Sequence, residues 1–111
     1  MLEFLRKSKG CVINVSCDKG SRPEPGLIGY CMSKAGIEML TKSSAMELAP
    51  FGIRVNAVAP SFIDTNLYRV AGMTELELDA LKIRATKNIP MNRVSTTAEV
   101  AKTIIFLTSE Q

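Results

Sequence analysis

A tyrosine and a lysine, Tyr30 and Lys34, stand four residues apart near the start of a stretch that predicts a helix from about 29 to 49. Residues with this spacing share one face of a helix. An ammonium group beside a phenol favours the ionised phenol, so we expect Lys34 to lower the pKa of Tyr30. A phenol tuned in this way can exchange a proton with a bound substrate. The alternative is a tyrosine that caps the core beside a solvated lysine.

The overall composition describes an ordinary globular chain. Its 111 residues are enough for one domain, and 46% of them are hydrophobic and 23% charged, which excludes a disordered chain. The net charge of +3 is spread along the sequence. No basic block interleaved with aromatic residues is present, so we expect no binding to nucleic acid.

The cysteines indicate a reducing compartment and no metal site. Cys11, Cys17 and Cys31 lack the spacing of metal ligands, and the chain contains no histidine. An odd number of cysteines without a disulfide pattern is typical of reduced thiols. No apolar run reaches the length of a signal peptide or of a membrane span. We therefore expect a cytoplasmic protein that does not contact a membrane.

The elements that position the tyrosine and lysine alternate between strand and helix. The patterns predict a helix that Gly10 ends, strands over 11–16 and 53–59, the long helix between them, and two later helices over about 75–85 and 97–108. The two later helices begin with capping boxes at Thr74–Glu77 and Thr96–Glu99. Two strands joined by a long helical crossover predict a parallel pair. Two strands alone cover their faces poorly, so we expect an α/β fold that is part of a larger doubly wound sheet.

Five stretches together resemble the C-terminal half of a short-chain dehydrogenase/reductase. They occur in the family's order and read V-I-N-V-S-C from Val12, Y-C-M-S-K-A-G from Tyr30, M-E-L-A-P-F-G-I-R-V-N-A-V-A-P-S-F-I-D-T from Met46, I-P-M-N-R from Ile89 and E-V-A-K-T-I-I-F-L from Glu99. Among relatives, the chain is most similar to the 3-oxoacyl-carrier-protein reductase-like branch. The resemblance implies that residues 1–111 form the C-terminal part of a single Rossmann-type domain, without its first strands and its last strand.

The resemblance also implies a reaction and its residues. Tyr30 would be the general acid–base for a carbonyl or alcohol substrate, and Lys34 would lower its pKa and hydrogen-bond the nicotinamide ribose. The cofactor, NADP or NAD, would supply the hydride chemistry. The loop after the second strand would hold the nicotinamide carboxamide through the positions Pro60, Ser61, Ile63 and Thr65. The family also implies a homodimer or homotetramer. The apolar face of the long helix at Met32, Gly36 and Met39 would pack either on the same helix of a partner or inside its own subunit.

Two residues depart from the family pattern. The family's catalytic serine stands thirteen residues before the tyrosine, where this chain has Cys17, and a thiol is a poorer hydrogen-bond donor than a hydroxyl. Ser16 cannot simply replace it, because neighbouring residues of a strand point to opposite sides. Either Cys17 marks an inactive or weakly active homologue, or the substrate tolerates a thiol. Ser61 replaces a glycine and would be strained only if the position requires a positive φ.

The dinucleotide cradle of the family is absent from this sequence. No glycine-rich turn of the G-x-G-x-x-G or G-x-x-x-G-x-G kind occurs, so we expect this chain alone to bind NADPH or NADH weakly. The alternative function is a catalytically inactive truncated homologue that serves as a dimerisation or interaction module. In the segment after Thr65, four apolar residues are expected either to line a substrate pocket or to pack a lid: Met73, Leu76, Leu78 and Leu81.

Overall fold

The computed structural model describes residues 1–109, and within this range it contains five α-helices and two strands. Their bounds are α1 Leu2–Ser8, β1 Cys11–Val15, α2 Ile28–Leu48, β2 Arg54–Val58, α3 Leu67–Val70, α4 Glu75–Asn88 and α5 Thr97–Thr108. The predicted strands and long helices are confirmed, most of them to within one or two residues. The short helix α3 was not predicted, and α4 runs one turn beyond its predicted end.

The two strands pair in parallel, which confirms the predicted βαβ unit and the α/β fold. The register runs from Cys11 opposite Arg54 to Val15 opposite Val58. Two backbone hydrogen bonds continue the pairing past the strands, from Ser16 N to Val58 O (2.8 Å) and from Asp18 N to Pro60 O (3.2 Å). The two loops that leave the carboxyl ends of the strands therefore lie side by side.

Polar contacts fix α2 on β1. Asn14 Nδ2 donates to Thr41 Oγ1 at 2.9 Å, and Ser16 Oγ donates to the carbonyl of Lys34 at 3.1 Å. Ser16 and Thr41 are both buried. Hydrogen bonds in buried surroundings are costly to break, because an unpaired polar group loses its water without a replacement. These two contacts set the position of α2 along the strand and bring its first two turns to the carboxyl end of β1.

The buried apolar residues come from β2, from the segments that flank it and from α4 rather than from both strands equally. They are Ile53, Val55, Val58, Phe62 and Leu78. The apolar, β-branched sequence of β1 is typical of a strand buried on both faces, but here Val15 is 50% exposed and the other β1 residues are only partly buried. The helices α2 and α5 pack against the strands but do not cover both faces of both of them.

The helix ends follow the predicted capping chemistry with one exception. Both capping boxes form: the Thr74 and Thr96 side chains accept from the backbone of Glu77 and Glu99, whose carboxylates accept in return. Helix α1 ends at Lys9, which adopts the left-handed conformation (φ 48°), and not at Gly10. No helix within residues 1–109 has the length and hydropathy needed to cross a bilayer.

Candidate functional site

The first two turns of α2 bring Tyr30 and Lys34 to the carboxyl end of β1. Lys34 Nζ donates to the carbonyl of Val15 at 3.1 Å and lies 5.6 Å from the centroid of the Tyr30 ring. Tyr30 itself is 39% exposed, so its ring is partly covered and remains accessible to a ligand. The two side chains therefore neighbour each other on one face of α2, as their spacing predicts.

The pKa of Tyr30 is raised well above its usual value, so the expectation that Lys34 lowers it is wrong for this structure. Burial of the phenol is the largest cause, followed by a hydrogen bond and a charge interaction with Cys17; Tyr68 and Asp18 contribute further. A neighbouring anion and a lower dielectric both favour the neutral phenol. Lys34 does not offset them, because its ammonium binds a backbone carbonyl and faces the ring.

Cys17 lies at the serine position of the family, and its thiol is already engaged. Its Sγ donates to Asp18 Oδ1 at 3.3 Å. Ser16 points the opposite way, into the interface with α2, where its hydroxyl binds the Lys34 carbonyl. This agrees with the expectation that Ser16 cannot take over the role of the missing serine.

The loop after β2 contains the four positions predicted to hold a nicotinamide group. Pro60, Ser61, Ile63 and Thr65 are all half-buried. Ser61 is outside the left-handed region, so the serine in place of glycine causes no backbone strain. Ile63 pairs with Ser95 in an isolated parallel bridge, and Thr65 Oγ1 accepts from Leu67 N at 3.4 Å. Backbone contacts with Ser95 and Leu67 thus hold the loop in place. Within residues 1–109, the hydrogen of the Thr65 hydroxyl is free to donate.

Tyr68 is a further site residue that the sequence did not single out. Helix α3 places its ring in a stack on Phe62, with ring centroids 5.1 Å apart and an interplanar angle of 19°. The pKa of Tyr68 is raised, first by burial and then by the charges of Cys17, Glu24 and Asp18. Two of these groups, Cys17 and Asp18, also raise the pKa of Tyr30. The sequence offered only a weak signal for it, namely an aromatic residue in a loop beyond the predicted cofactor positions.

Ion pairs attach α4 to the two loops. Asp64, in the loop after β2, pairs with Lys82 at 2.6 Å and with Arg69 at 3.5 Å. Glu24, in the loop after β1, pairs with Arg84 at 2.7 Å and with Lys19 at 2.9 Å. These contacts are largely exposed, so each contributes little to stability by itself.

The four apolar residues expected at a pocket or lid separate into two groups. Met73 and Leu81 line an open cleft of about 560 Å³ between α3 and α4, together with Glu77 and Arg84. Leu78 is completely buried, whereas Leu76 is 82% exposed. Leu78 is therefore a packing residue, and the expectation of a substrate pocket at the other residues stays a prediction. Among residues 1–109, no group of three or more cysteine, aspartate and glutamate side chains is arranged to hold a metal.

The parallel βαβ unit places this chain among the open α/β proteins, which bind ligands at the carboxyl ends of their strands. Tyr30 and Lys34 lie at that edge of the sheet. The sequence profile of a family described as enoyl-(acyl-carrier-protein) reductase matches residues 1–111. The protein named 3-oxoacyl-[acyl-carrier-protein] reductase FabG from Staphylococcus aureus is 41% identical over 109 residues, which cover 98% of this chain and 42% of the relative. The Thermotoga maritima protein of the same name is 40% identical over 108 residues, which cover 97% and 42%.

Solved structures show the same relationship. A short-chain dehydrogenase/reductase of unknown function from Caenorhabditis elegans, with cofactor, superposes with a TM-score of 0.85 at 31% identity, covering 94% of this chain and 40% of that one. ElxO with NADP bound gives 0.82 at 33% identity, covering 99% and 44%. The chain belongs to the short-chain dehydrogenase/reductase family. It spans about two fifths of the length of the relatives that it matches.

Proposed function

We propose that residues 1–111 are the proton-transfer part of an NAD(P)-dependent oxidoreductase that interconverts a carbonyl and an alcohol, within a single Rossmann-type domain. The observation that supports this most is the position of the Tyr30 phenol, partly buried beside Cys17 and next to Lys34, between the two loops at the carboxyl ends of the strands. The C. elegans structure with cofactor and ElxO with NADP support the choice of cofactor.

The residues of the site fit the chemistry of a nicotinamide ribose and its carboxamide. A lysine ammonium has three N–H donors, and Lys34 uses one of them on Val15 O, which leaves two for ribose hydroxyls. Thr65 keeps its O–H for a carboxamide oxygen, and the backbone of Pro60, Ser61 and Ile63 lies in the same half-buried loop. When bound, the cofactor would supply or accept a hydride.

The protonated phenol of Tyr30 can serve as the acid in the reduction of a carbonyl. A phenol that holds its proton at neutral pH begins the cycle as an acid. In reduction, its proton would pass to the substrate oxygen as the carbonyl carbon gains the hydride. The cofactor would be oxidised and the substrate would leave as an alcohol.

The direct test is the Tyr30→Phe variant of the protein expressed from its complete coding sequence. NADPH and NADH oxidation would be followed with a 3-oxoacyl thioester and with simple ketones as substrates. We expect the parent to turn over at least one of them and Tyr30→Phe to lose that turnover, because phenylalanine has no proton to transfer. Unchanged turnover in Tyr30→Phe contradicts the role assigned to this residue. We also expect the 111-residue chain alone to bind NADPH and NADH weakly, and micromolar binding by calorimetry would contradict that.

A second candidate function is a dimerisation or interaction module without catalysis. The outward face of α2 favours it, because Met32, Met39 and Met46 are 68%, 61% and 81% exposed. Within residues 1–109 nothing lies within 4 Å of a Cβ placed on Gly36, so another helix has room to approach there. Sedimentation would measure this association, and Met39→Glu should weaken it. The three free cysteines are consistent with a cytoplasmic location for either function.

A further inference from the structure

We propose that the Tyr68 hydroxyl donates the hydrogen bond to the substrate oxygen that the family's serine would provide, so that two phenols rather than a serine and a phenol hold this oxygen. The inference rests on the proposed function and adds to it a second residue that contacts the substrate.

The first step is that Cys17 leaves this role open. A thiol is a weak donor, and the hydrogen of Cys17 is directed to Asp18 Oδ1 at 3.3 Å. Ser16, the nearest hydroxyl in the chain, is 3% exposed and binds the carbonyl of Lys34. Neither side chain of this turn is therefore free to polarise a carbonyl.

The second step is that Tyr68 is held beside this turn. Asp18 N donates to Pro60 O, so the loop after β2 lies against the Cys17–Asp18 turn. Two residues further on, Phe62 is 9% exposed and supports the Tyr68 ring in a stack at 5.1 Å. The pKa values of Tyr30 and Tyr68 are both raised in part by Cys17 and Asp18, which agrees with a position of Tyr68 near this turn.

The third step concerns the donor itself. Within residues 1–109 the Tyr68 hydroxyl makes no hydrogen bond with good geometry, although its ring is partly buried, so its hydrogen is available to a ligand. A phenol keeps that hydrogen at neutral pH. In the reduction, the carbonyl carbon would gain the hydride and Tyr30 would give its proton to the oxygen. Tyr68 would keep its own hydrogen and stabilise the negative charge that develops on that oxygen.

The activity test combines Tyr68→Phe with Cys17→Ser in the protein expressed from its complete coding sequence. Tyr68→Phe keeps the stack on Phe62 and removes the donor, so we expect kcat to fall about 100-fold, as for the loss of one oxyanion donor, with little change in KM. Adding Cys17→Ser restores the family's hydroxyl and should recover at least about tenfold of the lost kcat. A kcat near that of the parent in Tyr68→Phe overturns the inference. A double variant no better than Tyr68→Phe also overturns it, because a merely structural role for Tyr68 would not be rescued by a serine.

A titration tests the placement of Tyr68 without any activity. The 111-residue chain has two tyrosines and no tryptophan, so Tyr30→Phe leaves Tyr68 as its only phenol. The near-ultraviolet absorbance of the ionised phenol then reports the pKa of Tyr68 alone. Adding Cys17→Ala removes the thiolate charge and should lower that pKa, whereas adding Cys31→Ala, on α2, should leave it closer to its starting value. An unchanged pKa in the Cys17→Ala variant overturns the inference.

Different experimental results would refute the role of Tyr68 and the proposed oxidoreductase function. If Tyr30→Phe abolishes turnover and Tyr68→Phe does not, the oxidoreductase proposal stands and the role of Tyr68 is refuted. If Tyr30→Phe retains the parent's turnover, the acid–base assignment itself is refuted. If the parent reduces no carbonyl substrate with either cofactor, both proposals are refuted.

Discussion

The βαβ unit, residues 11–60, and the outer segment, residues 61–95, are held together by different forces. In the βαβ unit, strand pairing and hydrogen bonds from Asn14 and Ser16 to α2 fix Tyr30 and Lys34. In the outer segment, exposed ion pairs attach α4, and a few apolar side chains such as Leu78 are buried. The comparison teaches that Tyr30 and Lys34 lie on a support fixed by strand pairing and buried hydrogen bonds, whereas Tyr68 lies on a segment attached through the buried Phe62 and Leu78 and through ion pairs.

The largest expected effect is on the packing of the outer segment. Leu78 is 0% exposed, so Leu78→Ala should lower the free energy of unfolding by about 2–5 kcal/mol, through lost burial and the cavity left behind. Denaturant unfolding would measure it, and limited proteolysis should show earlier cleavage in α4. Leu76→Ala is the matched control on the same helix, because Leu76 is 82% exposed. Equal effects in the two variants would contradict the distinction.

The next effect concerns the contact that positions α2. Thr41→Val keeps the shape of the side chain and leaves the Asn14 amide without its partner, which should cost about 1–3 kcal/mol in unfolding free energy. Thr103→Val, on α5, is the control, because the exposed Thr103 hydroxyl bonds only a carbonyl of its own helix. A loss in Thr41→Val no greater than that in Thr103→Val would show that this contact does not fix the unit.

The pH dependence of stability should distinguish the two phenols. Both folded pKa values are raised above the usual value of about 10, so the folded state holds its tyrosine protons more tightly than the unfolded chain. The stabilisation is therefore complete below about pH 10 and is lost as the pH rises through the folded pKa values. Thermal unfolding from neutral to alkaline pH would measure this loss. Tyr30→Phe should remove more of it than Tyr68→Phe, because Tyr30 has the larger shift; the reverse order would contradict this.

The smallest effect is on the ion pairs of α4. Lys82→Gln breaks the contact with Asp64 and should raise the pKa of that carboxyl, which Lys82 holds below its usual range. Stability should change only slightly, and less at high salt, because exposed pairs are screened. Amide exchange in α4 at low and high salt would measure this. Lys87→Gln at the end of the helix is the control, and a large salt-independent effect would show that Lys82 acts through packing.

Much of the fold could be predicted because its signals are local. The β-branched runs, the two T-x-x-E boxes and the Pro50–Gly52 break each act within a few residues, and the structure places the corresponding strands and helix ends close to their predicted positions. Helix α3 was missed, since four residues between two loops carry too short a pattern to distinguish from a turn. The end of α1 was misplaced by one residue, because lysine there adopts a conformation that glycine usually takes.

The sequence by itself determined the family, the parallel βαβ unit and the shared face of Tyr30 and Lys34, because motif spacing and helical periodicity are properties of the chain order. The tertiary structure decided the sign of the Tyr30 pKa shift and the surroundings of Tyr68 on which our proposal for that residue rests. Both depend on which groups burial brings around the phenol, namely Cys17 and Asp18 from one loop and Tyr68 from another, while the Lys34 ammonium binds Val15 O instead. The distances between separate elements depend on packing, so the spacing of residues within one helix cannot predict them.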